Sequence, residues 1–163
     1  MIKILTPLII GIALLSPISW IVSPGTQESA RYCNPRYGFC VSYPSHFAME
    51  PPPANDDGRI FSDRDGLVMT ASGGNNANKE TLKTEMRSQG EDFDKITYRA
   101  QGDNWFVLSG QKGDKILYLK TYVGKGSINH LYIEYPTRQQ EKYSQVVAKV
   151  ARSFKPGNLA VAH

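Results

Sequence analysis

Four aspartates within a short stretch are the best candidates for a metal site in this sequence: Asp56, Asp57, Asp63 and Asp65. Carboxylates that gather in this way can bind a hard cation such as calcium. Their spacing does not match a calcium loop, in which acidic residues alternate and a glutamate closes the series. Two of them precede a glycine, as tight turns require. We therefore favour turn formation over calcium binding, and we expect no cofactor.

The histidines and serines form no recognisable catalytic motif. His46 follows the first predicted strand, and His130 lies in an apolar strand, where a cross-strand contact is its ordinary role. Ser109 lacks the Gly-x-Ser-x-Gly elbow of a hydrolase nucleophile. Because a catalytic triad is defined by three-dimensional geometry, a periplasmic hydrolase that uses His46 or His130 is kept as an alternative. The sequence favours a protein that is not an enzyme.

Cys33 and Cys40 are the only cysteines. A closely spaced, even pair in an exported chain is typical of a disulfide. Metal binding by the two thiols would need further ligands at matching spacing, and of the histidines only His46 lies nearby. We predict a structural disulfide, which would contribute roughly 2.5 kcal/mol in the chain-entropy model.

The first thirty residues have the order of an export signal. Lys3 precedes an uncharged, largely apolar stretch over residues 4–22, and a polar segment follows. This stretch approaches the ~20 apolar residues that cross a bilayer, but Pro7 and Pro17 suit a short signal better than a regular span. We therefore predict that residues 1–30 are a signal peptide, with an uncleaved inner-membrane anchor as the alternative. Either one makes the protein periplasmic or secreted, and the uncleaved segment would be its only contact with the membrane.

The remaining chain is long enough for one domain. We place this domain at residues 31–155 and a flexible tail at residues 156–163. Lysine and arginine number 19 against 15 acidic residues, and the basic residues are scattered. Nucleic-acid binding would require a basic stripe interleaved with aromatic residues, and none is present. We expect no nucleic-acid partner, and the sequence does not indicate the oligomeric state.

The first half of this domain is predicted to contain a strand, a loop, a hairpin and a helix. Alternation of apolar and small residues indicates a half-buried strand at residues 37–43. The proline-rich segment 49–59 must be an exposed loop, and a hairpin turns at residues 65–66. A helix is expected at residues 79–89 with Asn78 as its cap.

The second half is predicted to be an antiparallel meander followed by a helix. Short glycine-containing spacers exclude long crossovers and separate strands at residues 96–100, 105–109, 116–123 and 128–135. Thr137 is expected to cap the last helix, with Gln140 reciprocating. This helix has one apolar face, which must pack against the sheet; the face consists of Tyr143, Val146, Val147, Val150, Ala151 and Phe154.

Residues 37–44, which read YGFCVSYP, resemble the opening strand of the PsbP/Mog1-like group, as does the Phe47 that follows. The end of the domain is also similar, with a strand that closes in Tyr135-Pro136 and a helix that closes in Ser153-Phe154. The resemblance implies an α+β fold, a central antiparallel sheet flanked by helices, without enzymatic activity. Members of this group include an extrinsic photosystem subunit, a GTPase-binding factor, bacterial effector chaperones and envelope proteins. No functional residue carries over, because the matching positions are core aromatics and turn formers.

Aromatic residues on neighbouring predicted strands are the best candidates for a binding surface: Trp105, Tyr118, Tyr122 and Tyr132. Strand parity places Tyr118 and Tyr122 on one face with Lys120, opposite Leu117 and Leu119. Aromatic residues on a face that the last helix leaves open would mark a protein interface.

The sequence therefore favours a non-enzymatic, extracytoplasmic protein-binding module, such as an assembly or immunity-type protein of the envelope. It would bind a protein partner through a sheet face or through the proline-rich loop around residues 51–53. Besides a histidine-based hydrolase, the other alternative is a small-ligand carrier with a cleft between sheet and helix.

Overall fold

A seven-stranded antiparallel sheet dominates the computed structural model, which describes residues 28–163. In chain order the elements are β1 (Ser29–Cys33), β2 (Cys40–Pro44), β3 (Ala48–Met49), β4 (Gly58–Ser62), β5 (Val68–Asn75), α1 (Leu82–Gly90), β6 (Lys95–Gln101), β7 (Trp105–Lys112), β8 (Lys115–Val123), β9 (Ser127–Pro136) and α2 (Gln140–Ser153). The main sheet has the order β3-β4-β5-β9-β8-β7-β6, while β1 and β2 pair with each other in a separate two-stranded sheet. This confirms the predicted α+β class with a central antiparallel sheet.

The predicted meander is present as four sequentially paired strands, β6 to β9. Each strand is joined to the next by a turn of a few residues, which permits only antiparallel pairing. The β4–β5 hairpin joins this meander because β5 pairs with β9 along its whole length. Strand β9 is therefore the centre of the sheet, with three strands on either side.

The larger hydrophobic core lies between α2 and one face of the sheet, which we name the α2 face. Side chains of α2 at Tyr143, Val147, Val150 and Ala151 are buried there, and Phe154 directly after the helix is fully buried. Their partners from the sheet are the apolar residues Phe61, Met69, Ala71, Ile116, Leu131, Ile133 and Tyr135. The apolar stripe predicted for the last helix is thus the surface that packs, with Val146 half-buried at its border.

A smaller core covers part of the opposite face, which we name the α1 face. Its buried members are Phe106, Leu108, Leu119, Val123 and Ile128. Leu82 and Met86 of α1 pack against them, as expected for residues one helical turn apart.

The predicted disulfide joins Cys33 to Cys40. The two cysteines are directly opposed residues of β1 and β2. Cys40 also exchanges two backbone hydrogen bonds with Lys155, at N–O distances of 3.0 and 2.9 Å. The disulfide-linked hairpin is thereby attached to the chain just beyond α2, and it extends the cover over the α2 face.

Strand β2 and helix α1 begin later than the sequence predicted. Strand β2 begins at Cys40, since the Asn34 side chain accepts hydrogen bonds from the backbone N–H groups of Arg36 and Tyr37 and folds residues 34–37 into a turn. Helix α1 begins at Leu82 and is capped by Thr81, not Asn78; Lys79, placed in the predicted helix, has a φ of 56°.

Thr137 is also not the cap of the last helix. Its hydroxyl donates to the carbonyl oxygen of Asp114, at 2.8 Å. Residues Thr137–Gln139 form a short 3-10 turn, and α2 begins at Gln140 without a side-chain cap. The loop predicted at residues 49–59 is shorter in the structure: residues 51–53 are exposed, but Met49 belongs to β3, and Gly58, which is buried, and Arg59 belong to β4.

The C-terminal tail, expected to be flexible, is hydrogen-bonded to the domain in this structure. The carbonyl of Leu159 accepts from the backbone N–H of Gly126 at 2.9 Å, and the backbone N–H of His163 donates to the Asn75 side chain at 2.8 Å. A Cβ on Gly124 or Gly126 would overlap the tail backbone. These glycines, interpreted from the sequence only as strand breakers, allow the tail to approach closely.

The N-terminal prediction lies almost wholly outside the described residues. Strand β1 begins at Ser29, two residues before the predicted domain boundary. Within residues 28–163, no helix has both the length and the apolar composition needed to cross a membrane.

We expect substitution of Phe154 by alanine to lower the free energy of unfolding by about 3–5 kcal/mol, because this fully buried ring would leave a cavity. Urea denaturation would measure the change. Gln145→Ala, on the exposed side of α2, is the control and should change stability by less than about 0.5 kcal/mol. Equal effects of the two substitutions would contradict the packing of α2 described above.

Candidate protein-binding face

One part of the α2 face lies beyond α2 and carries a group of aromatic residues. Helix α2 packs on β9, β8 and the β2 strand of the hairpin, whereas β7 and β6 continue the sheet further out. On β6 to β8, one aligned group of side chains points to this side, and we name it the aromatic face: Tyr98, Trp105, Tyr118, Lys120 and Tyr122.

The strand register explains why these residues lie together. Trp105 is directly opposite Tyr122, and Ser109 is directly opposite both Tyr118 and Tyr98. Directly opposed residues of antiparallel strands point to the same face. Three neighbouring strands therefore bring four aromatic rings to one side of the sheet.

The aromatic face is accessible but anchored at its base. Tyr98 is 57% exposed, while Trp105, Tyr118 and Tyr122 are half-buried. Burial raises the pKa of Tyr118 to about 12, with smaller contributions from Tyr98 and Tyr122. Its hydroxyl is therefore neutral at physiological pH, and the face presents uncharged rings.

Lys120 places a cation among these rings. Its Nζ lies 5.1 Å from the ring centre of Tyr122 and 5.9 Å from that of Trp105, both within cation–π range. The same Nζ donates a hydrogen bond to the carbonyl oxygen of Ala151 at 3.1 Å. Ala151 lies in the last turn of α2, where carbonyls lack helical partners and favour a positive charge.

Tyr122 is held by the end of the same helix. Its hydroxyl donates to the carbonyl oxygen of Phe154 at 3.4 Å, and its ring lies 5.7 Å from the Phe154 ring. The C-terminal end of α2 thus fixes both Lys120 and Tyr122. The alternation predicted for β8 is present, since Tyr118, Lys120 and Tyr122 point to one face. Ile116, which the same alternation places on that face, is buried in the core beneath α2.

Tyr132, the fourth sequence candidate, does not belong to this face. It lies on the α1 face, where it packs against the smaller core, and its hydroxyl donates to Glu134 at 3.4 Å. Burial raises the pKa of Tyr132 to about 12, with Glu134 contributing.

Tyr98 belongs to this face instead, although no sequence pattern pointed to it. Because the register shifts between Ile96 and Tyr98, simple alternation along β6 does not indicate the direction of this side chain. A tyrosine in a strand that is mostly polar was the available sequence signal.

The four candidate aspartates do not form one cluster. Asp56 pairs with Arg59 at 2.7 Å, before the body of β4, whereas Asp63 and Asp65 lie in the turn beyond its other end. Asp65 pairs with Lys142 of α2. Within residues 28–163, no group of three or more histidine, cysteine, aspartate or glutamate side chains is arranged to hold a metal ion.

Asp63 has a structural role at the contact between the hairpin and α2. Its carboxylate accepts hydrogen bonds from the backbone N–H groups of Asp65 and Leu67 and from the Tyr143 hydroxyl. Burial alone would raise the pKa of Asp63, but these bonds and the charge of Lys142 together lower it. This arrangement supports the turn interpretation of the acidic residues.

The two candidate histidines are far from a hydrolase geometry. His46 is exposed, with its ring against Phe47 at 5.1 Å. His130 lies 3.1 Å from the hydroxyl oxygen of Thr121 and 3.9 Å from a Glu85 carboxylate oxygen. These three side chains have the types of a triad, but Thr121 is fully buried and cannot meet a substrate.

The small-ligand alternative is not favoured by the packing. The space between α2 and the sheet is filled by core side chains. An open depression lies on the other side of α2, against the β1–β2 hairpin, with Pro44, Val146 and Lys149 in its wall. Of residues 28–163, none of the polar side chains that line it is buried.

The architecture is that of a PsbP/Mog1-like domain, which confirms the resemblance at the level of the fold. The solution structure of the cyanobacterial PsbP (CyanoP) from Synechocystis is similar with a TM-score of 0.58 and 13% identity, over 87% of this chain and 98% of that one. The crystal structure of the Ran-binding protein Mog1p from Saccharomyces cerevisiae is similar with a TM-score of 0.51 and 11% identity, over 83% and 97%. No family model matches the sequence, and no curated protein matches it.

The half-buried His130 predicts a loss of stability in mild acid. Burial lowers the pKa of His130, and Glu85 only partly opposes this. The unfolded chain therefore binds more protons once the pH falls below about 6.5, and acid shifts the equilibrium towards unfolding. We expect the free energy of unfolding of the wild type, measured by urea denaturation, to decrease as the pH falls below this value.

His130→Gln should lack this decrease while it keeps the further loss near and below pH 4, where carboxylates such as Asp63 take up protons. An unchanged pH profile in the variant would show that His130 is not the group responsible.

Proposed function

We propose that this chain is a non-enzymatic protein-binding module that acts outside the cytoplasm and binds its partner through the aromatic face. The observation that carries the proposal is the cluster of tyrosine and tryptophan rings on the part of the sheet beyond α2. Such residues dominate the binding energy of protein interfaces, because they bury a large area at low entropic cost.

The face is also prepared for binding before a partner arrives. The end of α2 holds Tyr122 and Lys120 in place, and Val107, directly opposite Lys120 on β7, is buried. Side chains that are already ordered lose little conformational entropy on association. A larger part of the favourable contact energy would therefore appear as binding free energy.

An extracytoplasmic location is supported by two independent features. The N-terminal sequence has the pattern of an export signal, and the Cys33–Cys40 disulfide persists best in an oxidising compartment. We propose the periplasm or the exterior as the place of action, with a protein of the envelope as the partner, as for an assembly or immunity-type protein. Contact with a membrane would occur only through an uncleaved N-terminal segment.

The fold is compatible with this role and does not require it. One structure of the same fold is that of a Ran-binding protein, so the scaffold can carry a protein-binding surface. At 11% identity its binding residues do not transfer to this chain, and the proposal depends on the aromatic face.

Site-specific photocrosslinking in the cells that produce the protein would test the binding face. We expect a photoreactive phenylalanine analogue at Tyr98 to give a crosslinked product of defined mass, because this side chain is the most exposed of the face. The matched control is Ile60, which is 38% exposed and lies on the α1 face; it should give no such product.

The substitution Trp105→Ala should then abolish the product at Tyr98, because loss of one central aromatic residue weakens binding by about 2 kcal/mol. Unchanged thermal unfolding of this variant would show that the fold is intact. Equal crosslinking from both positions, or no product from Tyr98, would contradict the proposal.

The compartment can be tested through the cysteines. In cells that produce the full chain, a thiol-alkylating reagent should modify Cys33 and Cys40 only after reduction and unfolding. If both cysteines are alkylated without a reductant, the protein resides in a reducing compartment and the extracytoplasmic proposal is wrong.

A further inference from the structure

The charged side chains that β6 to β8 place on the α2 face are both positive. From the strand register, the α2-face positions of β6 to β8 include two charged residues, Lys95 and Lys120, and no carboxylate. Arg152 in the last turn of α2 is exposed and Lys155 follows the helix, whereas Lys149 lies on the hairpin side of α2. The region is thus complementary to a negatively charged partner.

Lys120 differs from an ordinary surface lysine because its position is fixed. Its side chain is half-buried, and its ammonium lies within cation–π distance of the rings of Trp105 and Tyr122. Most exposed lysines must lose side-chain entropy when they form an ion pair, and the pair then contributes little. Here the ordering has already taken place within the folded domain.

The Lys120 ammonium also retains hydrogen-bonding capacity. An ammonium has three N–H donors, and the contact to Ala151 uses one of them. None of the ion pairs formed within residues 28–163 includes Lys120. Two donors therefore remain for an anionic group that approaches from solvent.

Resting on the proposed function, we propose that the partner presents an acidic protein segment, in which an aspartate or glutamate carboxylate pairs with Lys120 while neighbouring apolar side chains contact Trp105 and Tyr122. A carboxylate is favoured over a phosphate because the face offers one fixed cation among four rings. Phosphate recognition commonly relies on several converging cations or arginine forks. The ion pair would give specificity, and the rings would give most of the contact area.

Selection of peptides from a random library displayed on phage would test this inference without a known partner. The full chain is immobilised in a non-ionic detergent, which keeps its apolar N-terminal segment in solution. Four proteins are compared: the wild type, Lys120→Met, Lys120→Arg and Trp105→Ala. Methionine preserves the apolar stem of Lys120, and arginine preserves its charge.

We expect the wild type and Lys120→Arg to select peptides enriched in aspartate or glutamate beside apolar residues. Lys120→Met should select apolar peptides without the acidic enrichment, and Trp105→Ala should select neither. A peptide selected on the wild type should bind Lys120→Met about tenfold more weakly, as expected for loss of a preformed charge pair. Its amide counterpart, with Asn and Gln in place of Asp and Glu, should bind the two proteins equally.

The outcomes separate this inference from the proposed function. If selection depends on Trp105 but acidic enrichment is missing, or persists in Lys120→Met, the acidic-partner inference is wrong and the binding face stands. If no peptide is selected, or if Trp105→Ala selects the same peptides as the wild type, both are overturned.

A lipid headgroup is the competing source of negative charge. Flotation with phosphatidylglycerol or phosphatidylcholine vesicles would compare the wild type with Lys120→Met, which share the same N-terminal segment. A preference for phosphatidylglycerol that disappears in Lys120→Met would assign the cation to a membrane surface and overturn the inference.

Discussion

Burial of the apolar stripe of α2 against the centre of the sheet is the contact on which the rest of the structure depends. Tyr143, Val147, Val150 and Phe154 belong to the core that α2 closes over β9, the central strand, and its neighbour β8. Each fully buried side chain of this size contributes about 1.5–3 kcal/mol. The contact also orients the chain on both sides of the helix. Asp63 binds Tyr143 near the start of α2, and the disulfide-linked hairpin binds Lys155 after its end.

The same contact explains why the aromatic face lies beyond the cover of α2. A helix with its side chains is about 10 Å wide, and neighbouring strands lie about 4.8 Å apart, so one helix covers roughly two strands of a sheet. The β1–β2 hairpin extends the cover on one side of α2 only, towards β4 and β5, where Tyr32 and Tyr43 pack against Phe61. On the other side, no element of residues 28–163 covers the rings of β6 to β8 in this way. This follows from the geometry of a seven-stranded sheet on which one helix of the described chain packs at that side.

The sequence predicted the elements well where a periodic pattern met an unambiguous break. The meander and the apolar face of the last helix have such patterns. The strict alternation of Leu117 and Leu119 with Tyr118 and Lys120 likewise indicated which side chains of β8 share a face. Features set by distant or side-chain contacts were missed. Thr137 stands where a helix cap is expected, but its hydroxyl donates to the carbonyl oxygen of Asp114. The register shift in β6 meant that alternation did not indicate the face to which Tyr98 points. The pairing of β5 with β9, which brings Met69 and Ala71 into the core, has no local signal.

The candidate site shows the same division between local pattern and tertiary contact. Sequence parity brought Tyr118 and Tyr122 together, but it gave no basis for separating Tyr132, because the face of β9 is set by its register with β8. It also gave no indication that Lys120 would reach the end of α2, a contact between residues 31 positions apart. That contact links the stability of the fold to the chemistry of its surface, since the helix end that closes the core also fixes the cation and one ring of the face. Two proteins can therefore share this scaffold and bind unrelated partners, because the side chains beyond α2 are free to differ while the core beneath α2 is not.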